Sequence, residues 1–277
     1  MQSSGVCVAE TLFRQRTACQ QAVKIARTVF RLPKIFPPRP TIIRRPTMKT
    51  IGIIGGMSPE STTLYYQTIN HAINQRLGGN SSAEIIMHSV NFETIVQLQK
   101  ANDWAAAGHL LANSAAKLET AGADLLLLAT NTMHKVAPAI EQAVSIPLLH
   151  IVDATAEAIK QQGLHTVGLL GTHFTMSDGF YTERMAAQGV HTIVPSAAEQ
   201  DEIHRIIFDE LCVNKIQATS AHYFQNVIGS LKTQGAQGVI LGCTEICLIV
   251  NAQNSHLPVF DSTAIHAQAA VNVALAQ

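Results

Sequence analysis

The pentapeptide Ile51-Gly52-Ile53-Ile54-Gly55 returns 116 residues later as Val167-Gly168-Leu169-Leu170-Gly171. A second echo follows. Gly122-Ala123, the run Leu125–Leu128 and Ala129-Thr130-Asn131 match Gly235-Ala236, Val239–Leu241 and Gly242-Cys243-Thr244-Glu245 once a gap of one residue is allowed. Setting Ala129 against Cys243 gives this echo an offset of 114. A duplicated unit of this kind leaves few architectures open, because each copy must build the same supersecondary structure.

Within each copy, short apolar runs ending in Gly or small polar residues alternate with stretches of helical apolar spacing. Strands are expected at Thr50–Ile54, Glu84–His88 and Asp124–Leu128, with helices over Ser58–Leu77 and Trp104–Ala121. The rhythm resumes with strands at Leu148–Ile151, Thr166–Leu170 and Gly238–Leu241. Helices are expected at Thr155–Gln162, 178–187, 199–212, Ile216–Gln234 and Ala264–Leu275. Strand–helix alternation implies parallel sheets covered by helices. The expected fold class is therefore α/β, with two similar lobes, each a mostly parallel sheet flanked by helices. A pseudo-two-fold relates them, and the site lies in the cleft between. Lobe 1 spans about residues 48–150 plus the C-terminal helix, and lobe 2 about 151–260.

Residues 1–47 stand apart. They carry nine Lys or Arg against the single acid Glu10, and Pro33, Pro37, Pro38, Pro40 and Pro46 interrupt any helix after Phe30. A targeting peptide reads like this, and so does translated upstream sequence ahead of a start at Met48. The segment is expected to be flexible and outside the catalytic fold. With 47% hydrophobic and 14% charged residues, the whole chain is not of disordered composition. No apolar run reaches the roughly 18 residues of a membrane span, and no basic patch beyond the N-terminal segment suggests nucleic acid. Five cysteines at irregular spacing, without paired CxxC motifs, argue against a disulfide framework or a structural zinc site.

Four segments are expected at strand ends: Gly55–Ser61, Ala129–His134, Gly171–Thr175 and Gly242–Glu245. Ligands of parallel sheets bind there, outside the carboxyl ends of the strands. The glycines of the first segment read equally well as a strand–helix turn capped by Ser58 or Ser61. GGMS lacks the spacing of a dinucleotide fingerprint or a P-loop. Three hydrogen-bonding side chains, Thr130-Asn131-Thr132, directly after an apolar strand need polar partners if buried. Cys243 follows a strand and precedes two polar residues, a setting that suits a reactive thiol; Cys247, followed by Leu248-Ile249-Val250, reads as core. His134, His150, His173 and His204 lie near element ends and could serve packing as well as proton transfer.

GGMSPEST at 55–62, TNTMHK at 130–135, GCTEI at 242–246 and PVFDSTAIHA at 258–267 together resemble the aspartate/glutamate racemase family, nearest its broad-specificity branch. The likeness covers about residues 48–277. It implies a cofactor-independent amino-acid racemase in which two cysteines flank the substrate α-carbon, one thiolate removing the α-proton and the opposing thiol returning one. It further implies a small-molecule amino-acid substrate, a cytoplasmic homodimer and no metal. By resemblance, Cys243 is the second-lobe thiol, and Thr130, Asn131, Thr132 and Thr244 hold the substrate carboxylate. Met57, Gln99 and Glu245 complete the expected substrate-binding set. The family pattern puts the first-lobe cysteine directly before Thr-Asn-Thr, where this chain has Ala129. An engineered variant, a natural one-thiol relative and an inactive member are all compatible with that alanine. A one-thiol decarboxylase or isomerase of the same superfamily and a non-catalytic amino-acid-binding protein are the alternatives. The repeat predicts that Ala129 and Cys243 face each other across one cleft, with Cβ atoms on the order of 7 to 10 Å apart.

Overall fold

A computed structural model of the chain describes residues 48–276; the expectations for residues 1–47 lie outside the described residues. In the first lobe, β1 (Ile51–Gly55), α1 (Pro59–Leu77), β2 (Ile85–Ser89), α2 (Phe92–Lys100), α3 (Trp104–Thr120), β3 (Leu125–Leu128), α4 (Ala137–Glu141) and β4 (Leu148–Leu149) follow in order. Next come α5 (Ile151–Gln161), β5 (Thr166–Gly171), α6 (His173–Ser177), α7 (Phe180–Ala187), β6 (His191–Ile193) and α8 (Ala197–Asp209). The chain then runs through α9 (Ala218–Thr233), β7 (Gly238–Gly242), β8 (Val259–Asp261) and α10 (Ser262–Leu275).

The strands form two four-stranded sheets in orders β2-β1-β3-β4 and β6-β5-β7-β8. Every pairing is parallel. The identical order is the structural form of the sequence repeat. Alternation along β1 and β3 divides the first sheet between two layers. Ile51, Ile53, Leu125, Leu127 and Ala129 face α1 and α10, while Ile54, Leu126 and Leu128 pack with Ile95 of α2 and with Ala107, Leu111 and Ala115 of α3. The second sheet sits in one large cluster built on Val167, Leu169, Val239 and Ile240. Thus α10, at the end of the chain, covers the first sheet through Ala267, Ala270, Val271 and Ala274, and Lys49 N–H donates to the Ala274 carbonyl at 3.0 Å.

Several boundaries differ from the sequence expectation. The helix expected from Thr155 begins at Ile151, because the His150 side chain caps it by accepting from Val152 N–H and because Ile151 and Val152 are buried. The short strands β6 and β8 and the helix α2 were not expected. β6 and β8 are three residues each, too short to show a periodicity of their own. Among the described residues, no helix is long and apolar enough to cross a membrane.

Candidate active site

The ends of β1, β3, β5 and β7 open onto one cleft of about 630 Å³, part of it open solvent, with walls from both lobes. At the end of β1 the chain turns through Gly56 at φ +91, where an added Cβ would stand 2.3 Å from the Val90 carbonyl oxygen. Only glycine fits that close approach. Thr62 fastens the turn, its hydroxyl accepting from Gly56 N–H and donating to the Ser58 carbonyl, both at 2.8 Å. Ser58 then caps α1 by accepting from Ser61 N–H at 3.2 Å. This fixed loop presents Met57, Ser58 and Ser61 to the cleft.

From the other lobe, Glu245 gathers the polar groups of the floor. Its Oε2 accepts from the Cys243 thiol at 2.9 Å and from the Thr244 hydroxyl at 2.6 Å. Its Oε1 accepts from Ser58 and Ser61 of the first lobe, each at 3.4 Å. Ser61 and Thr244 share a further 2.6 Å hydrogen bond. Burial, and then the negative charge of Glu245, push the Cys243 thiol well above the usual thiol range. The resting cysteine is therefore protonated at neutral pH, with a carboxylate already accepting its proton.

Of the residues expected from sequence, Met57, Gln99, Thr130, Asn131, Thr132, Cys243, Thr244 and Glu245 all line this cleft. Gln99 reaches Met133, its Nε2 lying 3.1 Å from the sulfur. Asn131 is buried and accepts from the Ser262 hydroxyl at 3.2 Å. Thr132 meets Thr172 and Thr175 at 3.1 and 3.2 Å, a second hydroxyl bridge between lobes.

Ala129 is the exception. It is 0% exposed, packed in the layer beneath α1 and α10, and is not among the residues lining the cleft. Strand register explains why. Ile54 pairs with Leu128 in the first sheet, and its repeat equivalent Leu170 pairs with Leu241 in the second. Counting on from those pairs makes Ala129 the counterpart of Gly242 and Thr130 the counterpart of Cys243. The expected facing of Ala129 and Cys243 is thus corrected: Thr130, and not Ala129, lines the cleft together with Cys243. A tight turn, closed by Thr130 N–H donating to the Leu128 carbonyl at 2.8 Å, brings Thr130 out of the strand.

The histidines divide by role. His134 donates from Nδ1 to the Thr130 carbonyl at 2.7 Å and accepts at Nε2 from Ile151 N–H at 3.2 Å. Burial, with His150 and His266 close by, holds its pKa well below the usual value. It is a neutral prop for the Thr130 backbone. His150 is the α5 cap already described, and His204 accepts the His173 backbone N–H at 3.2 Å. Neither of these reaches the Cys243 network. Among the described residues, no cluster of three or more His, Cys, Asp or Glu could hold a metal.

Sequence reasoning missed Ser58 and Ser61 as members of the Glu245 network, since a helix cap explained both. Phe92, Ile95, Phe174, Ile207, Phe208 and Cys212 also line the cleft. Nothing local in the sequence separates them from core positions on their helices.

The family model for Asp/Glu/Hydantoin racemase matches residues 54–270. The broad specificity amino-acid racemase RacX of Bacillus subtilis (strain 168) is 28% identical over 228 residues, covering 82% of this chain and 98% of that protein. A Yersinia pestis crystal structure, provisionally assigned as an Asp/Glu racemase, is 52% identical with a TM-score of 0.79, covering 83% of this chain and 100% of that one. An aspartate racemase homologue from Pyrococcus horikoshii OT3 is 36% identical with a TM-score of 0.72, covering 82% and 99%. The two matching sheets, the shared cleft and these likenesses lead to one conclusion: the chain belongs to the Asp/Glu/Hydantoin racemase family.

Proposed function

We propose that this chain moves the α-proton of an amino acid without a cofactor, using Cys243 as the acid–base thiol. The observation that carries the reading is the hydrogen bond from Cys243 to Glu245 on the floor of a cleft walled by both lobes. A thiol can abstract a proton only after losing its own, and Glu245 Oε2 is positioned to take it. The α-proton then passes to the Cys243 sulfur, and the electron pair left on the α-carbon delocalises into the substrate carboxylate. The Asn131 side-chain amide is placed to stabilise that charge, joined by the Thr132 and Thr244 hydroxyls once they turn from their present partners. Once the thiol hydrogen has exchanged with solvent, its return from Cys243 to the same face gives exchange without inversion. Inversion needs a donor on the other face, a role this reading gives to Thr130. A hydroxyl gives up its proton far less readily than a thiol, so exchange outpaces inversion and one enantiomer is favoured.

The test is α-deuterium incorporation into L- and D-amino acids in heavy water, with no cofactor added and with Cys243→Ala as control. Exchange that persists in Cys243→Ala rejects the reading. A second reading, a one-thiol decarboxylase or isomerase, is favoured by the lack of a thiol at the Thr130 position; it predicts carbon dioxide release from an aryl or alkenyl malonate. Binding of amino acids with neither activity would leave a sensor. We further propose a cytoplasmic homodimer, which sedimentation velocity and fractionation would test.

A further inference from the structure

The family is named for acidic amino acids, and a side-chain carboxylate carried into a cleft needs a cation or several donors to replace its water. Among the described residues, no Lys, Arg or His lines this cleft. Its one ionisable carboxyl, Glu245, carries the same charge as the incoming carboxylate would. Basic side chains close in sequence to lining residues are already engaged: Lys135, two residues after Met133, is bound to Asp178 at 2.5 Å and lies over the Trp104 ring at 4.0 Å. Arg205 is held by Glu202 at 2.7 Å and by the buried Glu210 at 2.9 Å. His204 stacks beside Phe208 with ring centroids 4.7 Å apart.

The lining is also segregated. Most of its polar groups come from the strand-end loops, with Ser61 of α1 and Gln99 of α2 beside them, whereas α2, α6 and α8 bring Phe92, Phe174 and Phe208, backed by the fully buried Ile95 and Ile207. A zwitterionic amino acid fits this division with its charged α-groups over the strand-end loops, its α-carboxylate toward Asn131 and the threonines, and its side chain against the apolar wall. We propose that the side-chain subsite selects neutral, apolar amino acids and rejects aspartate and glutamate. The proposal rests on the reading of the cleft as an amino-acid site.

The experiment is titration calorimetry of the full chain with L-methionine, L-leucine and L-phenylalanine against L-aspartate and L-glutamate, followed by α-deuterium exchange on the same panel. An ionised group left without a partner costs about 1–3 kcal/mol or more, so the neutral ligands should bind roughly ten- to a hundredfold more tightly. Equal or tighter binding of aspartate or glutamate overturns the proposal, as does failure of every neutral amino acid to bind. Neutral ligands that bind without exchange leave the subsite assignment standing and sink the racemase reading; exchange of aspartate or glutamate alone does the reverse. As a second check, Cys212→Arg places a cation at an exposed position of the lining and should raise the affinity for aspartate or glutamate at least about tenfold. A folded variant without that gain counts against the proposal.

Discussion

Introducing a cysteine at Thr130 or at Ala129 distinguishes two one-residue alignments of the same repeat. Thr130 is half-buried at the cleft, and among the described residues no hydrogen bond engages its hydroxyl. Thr130→Cys therefore exchanges a hydroxyl for a thiol with little packing to lose, and stability should change by no more than about 0.5 kcal/mol. It supplies the second face with a group of thiol acidity. Since positioned acid–base groups contribute about 10²–10⁴-fold, racemisation should rise by that order. Ala129→Cys instead drives a sulfur into the layer formed by Ile51, Tyr65, Leu127 and Ala267, where the alanine is fully buried. Overpacking there costs about 1–3 kcal/mol, or roughly 2–4 °C in Tm for each kcal/mol, with no gain in turnover. Chiral chromatography of the products, with a thermal melt of each variant, reads both effects. A gain in Ala129→Cys but not in Thr130→Cys would refute the register argument. A folded Thr130→Cys that binds its amino acid and gives no inversion would refute the two-base reading of the cleft.

Glu245→Gln removes the negative charge that helps to raise the Cys243 thiol. Alkylation of Cys243 at a fixed mildly alkaline pH should become faster, while α-proton exchange falls about 10²–10⁴-fold; unchanged alkylation would show that the carboxylate does not govern the thiol. The buried histidines set an acid limit on stability: burial lowers His266 to about 4 and, with Arg184 nearby, His150 to about 3. Above an unfolded pKa of about 6.5 both states hold these rings neutral and pH has no effect through them. As pH falls from there toward 4, the unfolded chain takes up protons that the native one refuses, and stability is lost, by roughly 3 kcal/mol from His266 alone. Thermal melts should thus decline steeply below pH 6, and a flat profile between 6.5 and 4.5 would reject the argument. We also propose that residues 1–47 lie outside the catalytic unit. A chain begun at Met48 should keep its melting temperature and ligand affinity, and loss of folded protein on truncation would reject this.

Much of the architecture was legible because it is locally encoded. The apolar runs of β1, β3, β5 and β7, each ending in small residues, mark buried parallel strands, and their recurrence announces two lobes. Eight of the nine expected site positions lie in the cleft, since strand ends of parallel sheets converge there. The apolar wall was not legible. Phe92 and Phe208 are apolar residues like those of the core, and only the approach of α2 and α8 to the strand ends brings them to the cleft.

The sequence by itself determined the duplication, the parallel α/β class and the thiol at Cys243. It left undetermined where the one-residue gap falls between the copies, since Ala129-Thr130 and Gly242-Cys243 can be aligned either way by eye. Tertiary structure decides that question through pairing: with Ile54 on Leu128 and Leu170 on Leu241, Thr130 and not Ala129 is the counterpart of Cys243. The physical reason is the two-residue period of a strand, by which a shift of one position moves a side chain from the cleft side to the buried layer.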